Sequence, residues 1–152
     1  MEGEKWDKTV QIGVLSMTDR KFHSGIDYSL SILQEKWQPT LVFWLGFRPL
    51  TLDELRQLFP KLSGDELKAE LAKLQNLRIA NPIKDTENCY SLTEDGKDFR
   101  QMMMSLSIWG KQQMNDNEDK SSGLVIEPEN NAKMSELVKY SKLLRDYVNY
   151  DE

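Results

Sequence analysis

The residues able to do chemistry are few, and their types point to binding rather than catalysis. The chain has one cysteine, Cys89, and one histidine, His23. A single cysteine cannot close an internal disulfide, so a reducing, cytoplasmic compartment is expected. Cys89 stands beside Tyr90 with no basic neighbour to lower its pKa, which suits a packed strand thiol better than a sensor. His23 has no cysteine or second histidine near it, so no metal site is expected. The carboxylate pairs Asp53-Glu54 and Asp65-Glu66 fall at helix starts, where the helix dipole favours negative charge. The run Met102-Met103-Met104 reads as packing. With no nucleophile–base set and no phosphate-cradling glycine loop, neither an enzyme nor a cofactor is expected. What remains is a polar and basic set: Arg56, Ser63, Lys68, Lys73, Asn76 and Lys84. These are side chains of the types that bond phosphates and base edges.

All six lie in one stretch, Leu50 to Leu92, and its local signals say how they are positioned. Two helix starts stand twelve residues apart: Thr51 with Glu54, and Ser63 with Glu66. In this capping-box spacing, hydroxyl and carboxylate satisfy each other's backbone N–H groups. Ser63 and Thr51 are therefore caps first, with a phosphate contact possible at the same helix ends. Pro60 closes the first helix, because its ring denies the preceding turn a hydrogen bond. Asp53 to Phe59 would bury Leu55, Leu58 and Phe59, and Gly64 to about Leu77 would bury Leu67, Leu71 and Leu74. Ile79 to Ile83 and Cys89 to Leu92 can pair as a hairpin around the polar tip Asp85-Thr86-Glu87-Asn88.

Upstream, Tyr28 to Lys36 reads as a helix with Leu30 and Leu33 inward. Pro39 then fits the first turn of a helix that is apolar nearly all round from Thr40 to Phe47, the pattern of a central core element. Three helices and a two-stranded hairpin make a winged helix-turn-helix. The fold class expected is mainly α with a small β-hairpin wing, an N-terminal arm and an extra C-terminal helix.

After the hairpin, Thr93 caps a helix that runs to about Gln113. Phe99, Met103, Leu106 and Gly110 share one side, with Met102 and Trp109 beside them, while Met104 and Ile108 point roughly the opposite way. A helix apolar on two faces needs two partners, its own domain and a second copy of the chain. A homodimer is expected, with Met102, Met104, Ile108 and Trp109 as dimerisation residues. Asn115 to Gly123 has no apolar residue and reads as a linker, followed by a candidate strand at Leu124-Val125-Ile126. From Asn131 to Tyr150, Met134, Leu137, Ser141, Leu144 and Val148 recur at helical spacing. That helix would dock in cis or across the dimer, or take a protein partner.

The expected divisions are an arm at 1–27 with strand-like alternation at Val10 to Val14, a winged helix-turn-helix domain with dimerisation helix at 28–110, a linker at 111–130, and the C-terminal helix at 131–152. The longest apolar run, Leu41 to Phe47, is far short of the roughly 20 residues that span a bilayer. Met1 to Lys8 has no signal-peptide core, so no membrane role is expected. Net charge is −5, and no segment of the chain is basic. Binders of duplex DNA normally carry a positive footprint.

With these elements placed, residues Tyr28 to Gly110 resemble the HxlR-type winged-helix transcription regulators, relatives of the MarR group. The resemblance rests on Leu33 with Lys36-Trp37, on Leu52-Asp53-Glu54-Leu55-Arg56, and on Ser63 with Leu67, Leu71 and Leu74. Tyr90-Ser91-Leu92-Thr93 with Gly96, and Trp109-Gly110, complete it. It implies a dimeric regulator of transcription that binds double-stranded DNA, with helix 64–77 in the major groove and wing 83–90 beside it. Three positions depart from the family pattern: Asp65 in place of a basic residue, Lys68 in place of threonine, and Ala72 in place of arginine. Ser24-Gly25-Ile26-Asp27 stands where many relatives have a cysteine. Asp65, Glu66 and Glu70 would face phosphates and repel them, and the wing tip has two acids and no arginine. The competing expectation is therefore a winged-helix protein-interaction module that has lost DNA binding. A third is a small ligand held near Trp44, Phe47 and Trp109.

Overall fold

A computed structural model describes residues 22–117 and 127–147. The chain divides into two compact units, one ending at Lys36 and one beginning at Trp37. The expected strand at Val10 to Val14, the run Leu124 to Ile126, and Val148 lie outside the described residues.

The first unit contributes helix α1, Gly25–Leu33. It begins three residues before the expected Tyr28 because Ser24 and Asp27 form a cap. The Ser24 hydroxyl accepts from the Asp27 amide at 3.0 Å, and the Asp27 carboxylate accepts from the His23 amide at 3.1 Å. Tyr28 meets Phe22 edge to face, and Leu30, expected inward, is largely exposed.

The second unit is built on α2, Gln38–Leu45. Leu41, Val42, Trp44 and Leu45 are all buried, as the all-round apolar sequence requires. Its last turn is closed by Arg100, which donates from Nε to the Phe43 carbonyl at 2.9 Å and lies over the Phe43 and Phe47 rings. A guanidinium at a helix C-terminus adds to the weak 3.3 Å bond that the Phe43 carbonyl accepts from the Gly46 amide and complements the dipole. Gly46 makes room for it, since a Cβ there would overlap the Arg100 side chain.

The helix-turn-helix follows. Strand β1, Leu50–Thr51, leads into α3, Leu52–Leu58, and a turn at Pro60 leads to α4, Gly64–Asn76. Both capping boxes form: Thr51 with Glu54, and Ser63 with Glu66. Leu55, Leu58 and Phe59 on one side and Leu67, Leu71 and Leu74 on the other are buried. Strands β2, Ala80–Pro82, and β3, Cys89–Leu92, make the wing. They pair antiparallel with Ala80 opposite Leu92 and Pro82 opposite Tyr90. Pro82 is tolerated because β2 is an edge strand. Strand β1 adds on the far side of β3, with Leu50 opposite Tyr90, so the sheet order is β1-β3-β2. The sequence alone does not reveal β1, since two residues carry no periodicity.

Helix α5, Glu94–Asn117, is four residues longer than expected. Helix α6, Met134–Tyr147, lies within the same compact unit and packs along α3. Its docking is therefore in cis. Leu137, Tyr140 and Ser141 are buried, and Tyr140 joins an aromatic cluster with Phe43, Trp44 and Phe47.

Candidate nucleic-acid interface

Helix α4 presents a polar face because its three leucines occupy the opposite side. Asp65, Lys68, Ala69, Ala72, Lys73 and Asn76 are all exposed. Ala69 and Ala72 leave the middle of that face low, so the helix axis can approach another surface closely. An alanine methyl is also one of the groups that meets the methyl of thymine.

The ends of α4 are fixed tightly. At the N-terminus, the Glu66 amide donates to the Ser63 hydroxyl at 3.1 Å, and the Ser63 amide donates to Glu66 Oε1 at 2.9 Å. The Arg56 side chain from α3 lies within ordinary van der Waals contact of the space a Gly64 side chain would fill. At the C-terminus, the Ile79 amide donates to the Leu74 carbonyl and the Arg78 amide to the Gln75 carbonyl. That pair is the Schellman pattern, whose pivot residue adopts a left-handed backbone. Here the pivot is Arg78, with φ 62°, where glycine is preferred. The turn is clamped from α5: the Thr93 hydroxyl donates to the Arg78 carbonyl at 2.6 Å, and the Gly96 amide donates back to Thr93 Oγ1 at 3.0 Å. A Cβ on Gly96 would overlap the Ile79 carbonyl oxygen. The Thr93-x-x-Gly96 motif thus sets the angle between α4 and the wing.

The electrostatics of this face differ from what the composition suggests. Three acids of the helix-turn-helix are committed internally. Glu54 and Glu66 are tied into the two caps. Glu70 is turned inward with its side chain 15% exposed, one oxygen buried without a hydrogen-bond partner among the described residues and the other 3.4 Å from Lys73 Nζ. The repulsion expected from Glu70 is reduced, while Asp65 and Glu66 both remain exposed at the first turn of α4. Arg56, Lys68, Lys73 and Asn76 are all exposed, and Ser63 is exposed at the cap. Lys84 is exposed at the base of the wing loop. That loop turns through left-handed residues Asp85 and Asn88, with φ 64° and 54°, and holds Thr86 to the Ile83 carbonyl at 2.8 Å.

Two basic residues of this region were not singled out by sequence. Arg78 is exposed at the pivot between α4 and the wing. Its signal is the missing glycine after a helix that has plainly ended. Arg48, just before Pro49, forms a forked pair with Glu54, at 3.3 Å and 3.1 Å. Burial pushes the Glu54 carboxyl up, but hydrogen bonds and charge from Arg48, with the Thr51 cap, outweigh it and hold the group below its ordinary range. Nothing in the local sequence marks that pair.

On α5, Met102, Ile108 and Trp109 are 51%, 59% and 62% exposed, and Leu106 and Met114 are exposed with them. Met104 sits differently. It is half-buried and lines a cleft with Leu45, Gly46 and Arg100.

Among the described residues no helix is long and apolar enough to cross a membrane. The family model described as HxlR-like helix-turn-helix matches residues 32–118, more than half of the chain. The match takes in α2 to α5 and stops before α6. Individual curated proteins give no match.

Proposed function

The chain belongs to the HxlR-like helix-turn-helix family, and from that premise we propose that it is a homodimeric DNA-binding regulator of transcription. Helix α4 enters the major groove of double-stranded DNA, and the wing lies beside it. The observation that carries this reading is the α4 face itself. Its small residues leave the centre open, Lys68 and Lys73 flank it, and Glu70 is turned inward, with Glu66 bonded back to its own cap at the helix start. Lys68, Lys73, Arg56 and Lys84 neutralise phosphates, Asn76 contacts a phosphate or a base edge, and the α4 N-terminus at Ser63 meets a backbone phosphate. Dimerisation uses the exposed apolar side chains of α5, Met102, Ile108 and Trp109, with Met104 at its margin. An apolar stripe of this kind marks a protein contact more often than bare solvent exposure.

Retardation of genomic fragments in a gel at low salt tests the DNA reading; a chain that retards none at any concentration refutes it. Sedimentation tests the dimer: the expected species has twice the 17.7 kDa chain mass. A second reading, a protein-interaction module without DNA binding, draws on Asp85 and Glu87 exposed at the wing tip and on the net charge of −5. It requires that the same fragments stay unbound.

A further inference from the structure

The C-terminal segment lies outside the matched family region, yet it is wired into the helix-turn-helix. Leu137 is wholly buried. Tyr140 meets Trp44 at 5.9 Å and both Phe43 and Phe47 at 6.3 Å. Ahead of α6, the carbonyl of buried Ala132 accepts a hydrogen bond from Arg48 Nε at 2.9 Å. The same guanidinium holds both carboxylate oxygens of Glu54. Glu54 Oε1 in turn accepts from the Thr51 amide at 2.9 Å, and the Glu54 amide donates to Thr51 Oγ1 at 3.1 Å. The next amide, Leu52, donates at 2.7 Å to the Asn88 carbonyl at the end of the wing loop. Hydrogen bonds, joined by the backbone between Thr51 and Leu52, therefore lead from the C-terminal segment through Arg48 to the N-terminus of α3 and on to the wing.

Helix α3 is only seven residues long. Helices this short have little stability of their own, and their first amides have no partner inside the helix. What orients Glu54 decides how firmly α3 begins. We propose that residues 127–147 form a strap that fixes the N-terminus of α3, with Arg48 as the positioning residue that transmits it. The docked strap supplies the Ala132 carbonyl, which holds the Arg48 fork square to Glu54. Without that carbonyl the arginine keeps its charge but loses a fixed partner, and the cap loosens. The coupling within the chain stands apart from any DNA; its effect on DNA affinity rests on the function proposed above.

Residue-resolved amide exchange on full-length variants tests the strap. In Leu137→Ala with Tyr140→Ala, α6 undocks, and exchange at the Thr51 and Glu54 amides is expected to rise about ten-fold, the scale of one lost hydrogen bond to a charged group. The amides of Leu71 and Leu74 in α4 should keep their wild-type rates. In Arg48→Lys, which keeps the charge but not the fork, the same two amides should accelerate while α6 stays protected. Unchanged Thr51 and Glu54 exchange in Arg48→Lys overturns the proposal. Unchanged exchange in a double variant whose α6 amides have lost protection overturns it equally. Should the double variant lose α4 protection as well, Arg48→Lys alone decides. A wild-type chain that binds no DNA would refute the proposed function and leave the exchange result standing.

Discussion

Helices α4 and α5 each turn a face away from the core, and the two faces are built for different company. The α4 face is alanine, lysine, aspartate and asparagine; that of α5 carries Met102, Leu106, Ile108, Trp109 and Met114. The ends of α4 are held by a capping box and a Schellman turn, so its position is set before anything binds. Over Glu94–Asn117, α5 is anchored near its start, through Thr93, Gly96, Phe99 and Arg100, and its apolar exposure lies beyond. A polar face on a rigid helix suits readout, in which a misplaced contact is lost. An apolar face suits association, which rewards buried area and tolerates adjustment. The lesson is that the burial of three leucines leaves one helix a polar face fit for the proposed reader, while the lack of cover leaves the other an apolar face fit for the proposed adhesive.

Charge reversal at the reader should give the largest effect. Lys68→Glu with Lys73→Glu is expected to weaken DNA binding by roughly 100-fold or more at moderate salt, with the dimer unaffected, as titrated gel shifts and sedimentation would show. If the dimer also dissociates, the two faces are not separate. Trp109→Asp should act on the adhesive alone. The expected loss is about 2 kcal/mol of association, the scale of a central aromatic anchor, read as a shift to monomer in sedimentation at micromolar concentration. A dimer unchanged by this substitution would move the interface away from α5.

Smaller effects sharpen how α4 is held. Arg78→Gly relieves a left-handed non-glycine residue and is expected to raise stability by up to about 1 kcal/mol in denaturant titration. A drop instead would show that the Arg78 side chain makes a contact worth more than the strain. The cap of α3 should be acid-sensitive. Because the folded state holds the Glu54 carboxyl below its ordinary range, the stabilisation is present above the unfolded pKa and is lost as pH falls through the lowered folded-state pKa. Glu54→Gln should flatten that part of the stability–pH profile. Smallest of all, Ser141→Ala removes a buried hydroxyl with no hydrogen-bond partner among the described residues and should shift stability by no more than about 0.5 kcal/mol.

Most of the fold was legible because its signals are local. Thr51-x-x-Glu54, Ser63-x-x-Glu66, Pro60 and the spacing of Leu67, Leu71 and Leu74 each act within a few residues, and each formed as read. The sequence also marked Thr93 and Gly96, though only the structure shows that they clamp the Arg78 turn. Features that join distant segments left no trace. Arg48 reaches Ala132, 84 positions away, and Arg100 reaches Phe43, 57 positions away. The helical spacing of Leu137, Ser141 and Leu144 does not pick out Tyr140, and an aromatic partner cannot be inferred from one helix. The inward turn of Glu70 was equally hidden, since a glutamate beside a leucine stripe can point either way.

The central claim, that α4 reads DNA through its lysine-flanked face, is tested most directly by the salt dependence of binding. Affinity for a retarded genomic fragment would be measured from about 50 to 200 mM salt for wild type and for the Lys68→Glu, Lys73→Glu variant. The wild-type logarithmic plot should fall steeply, and the variant's should be shallower by about two phosphate contacts with lower affinity throughout. Equal slopes and affinities for the two proteins would contradict the assignment of α4 as the reader.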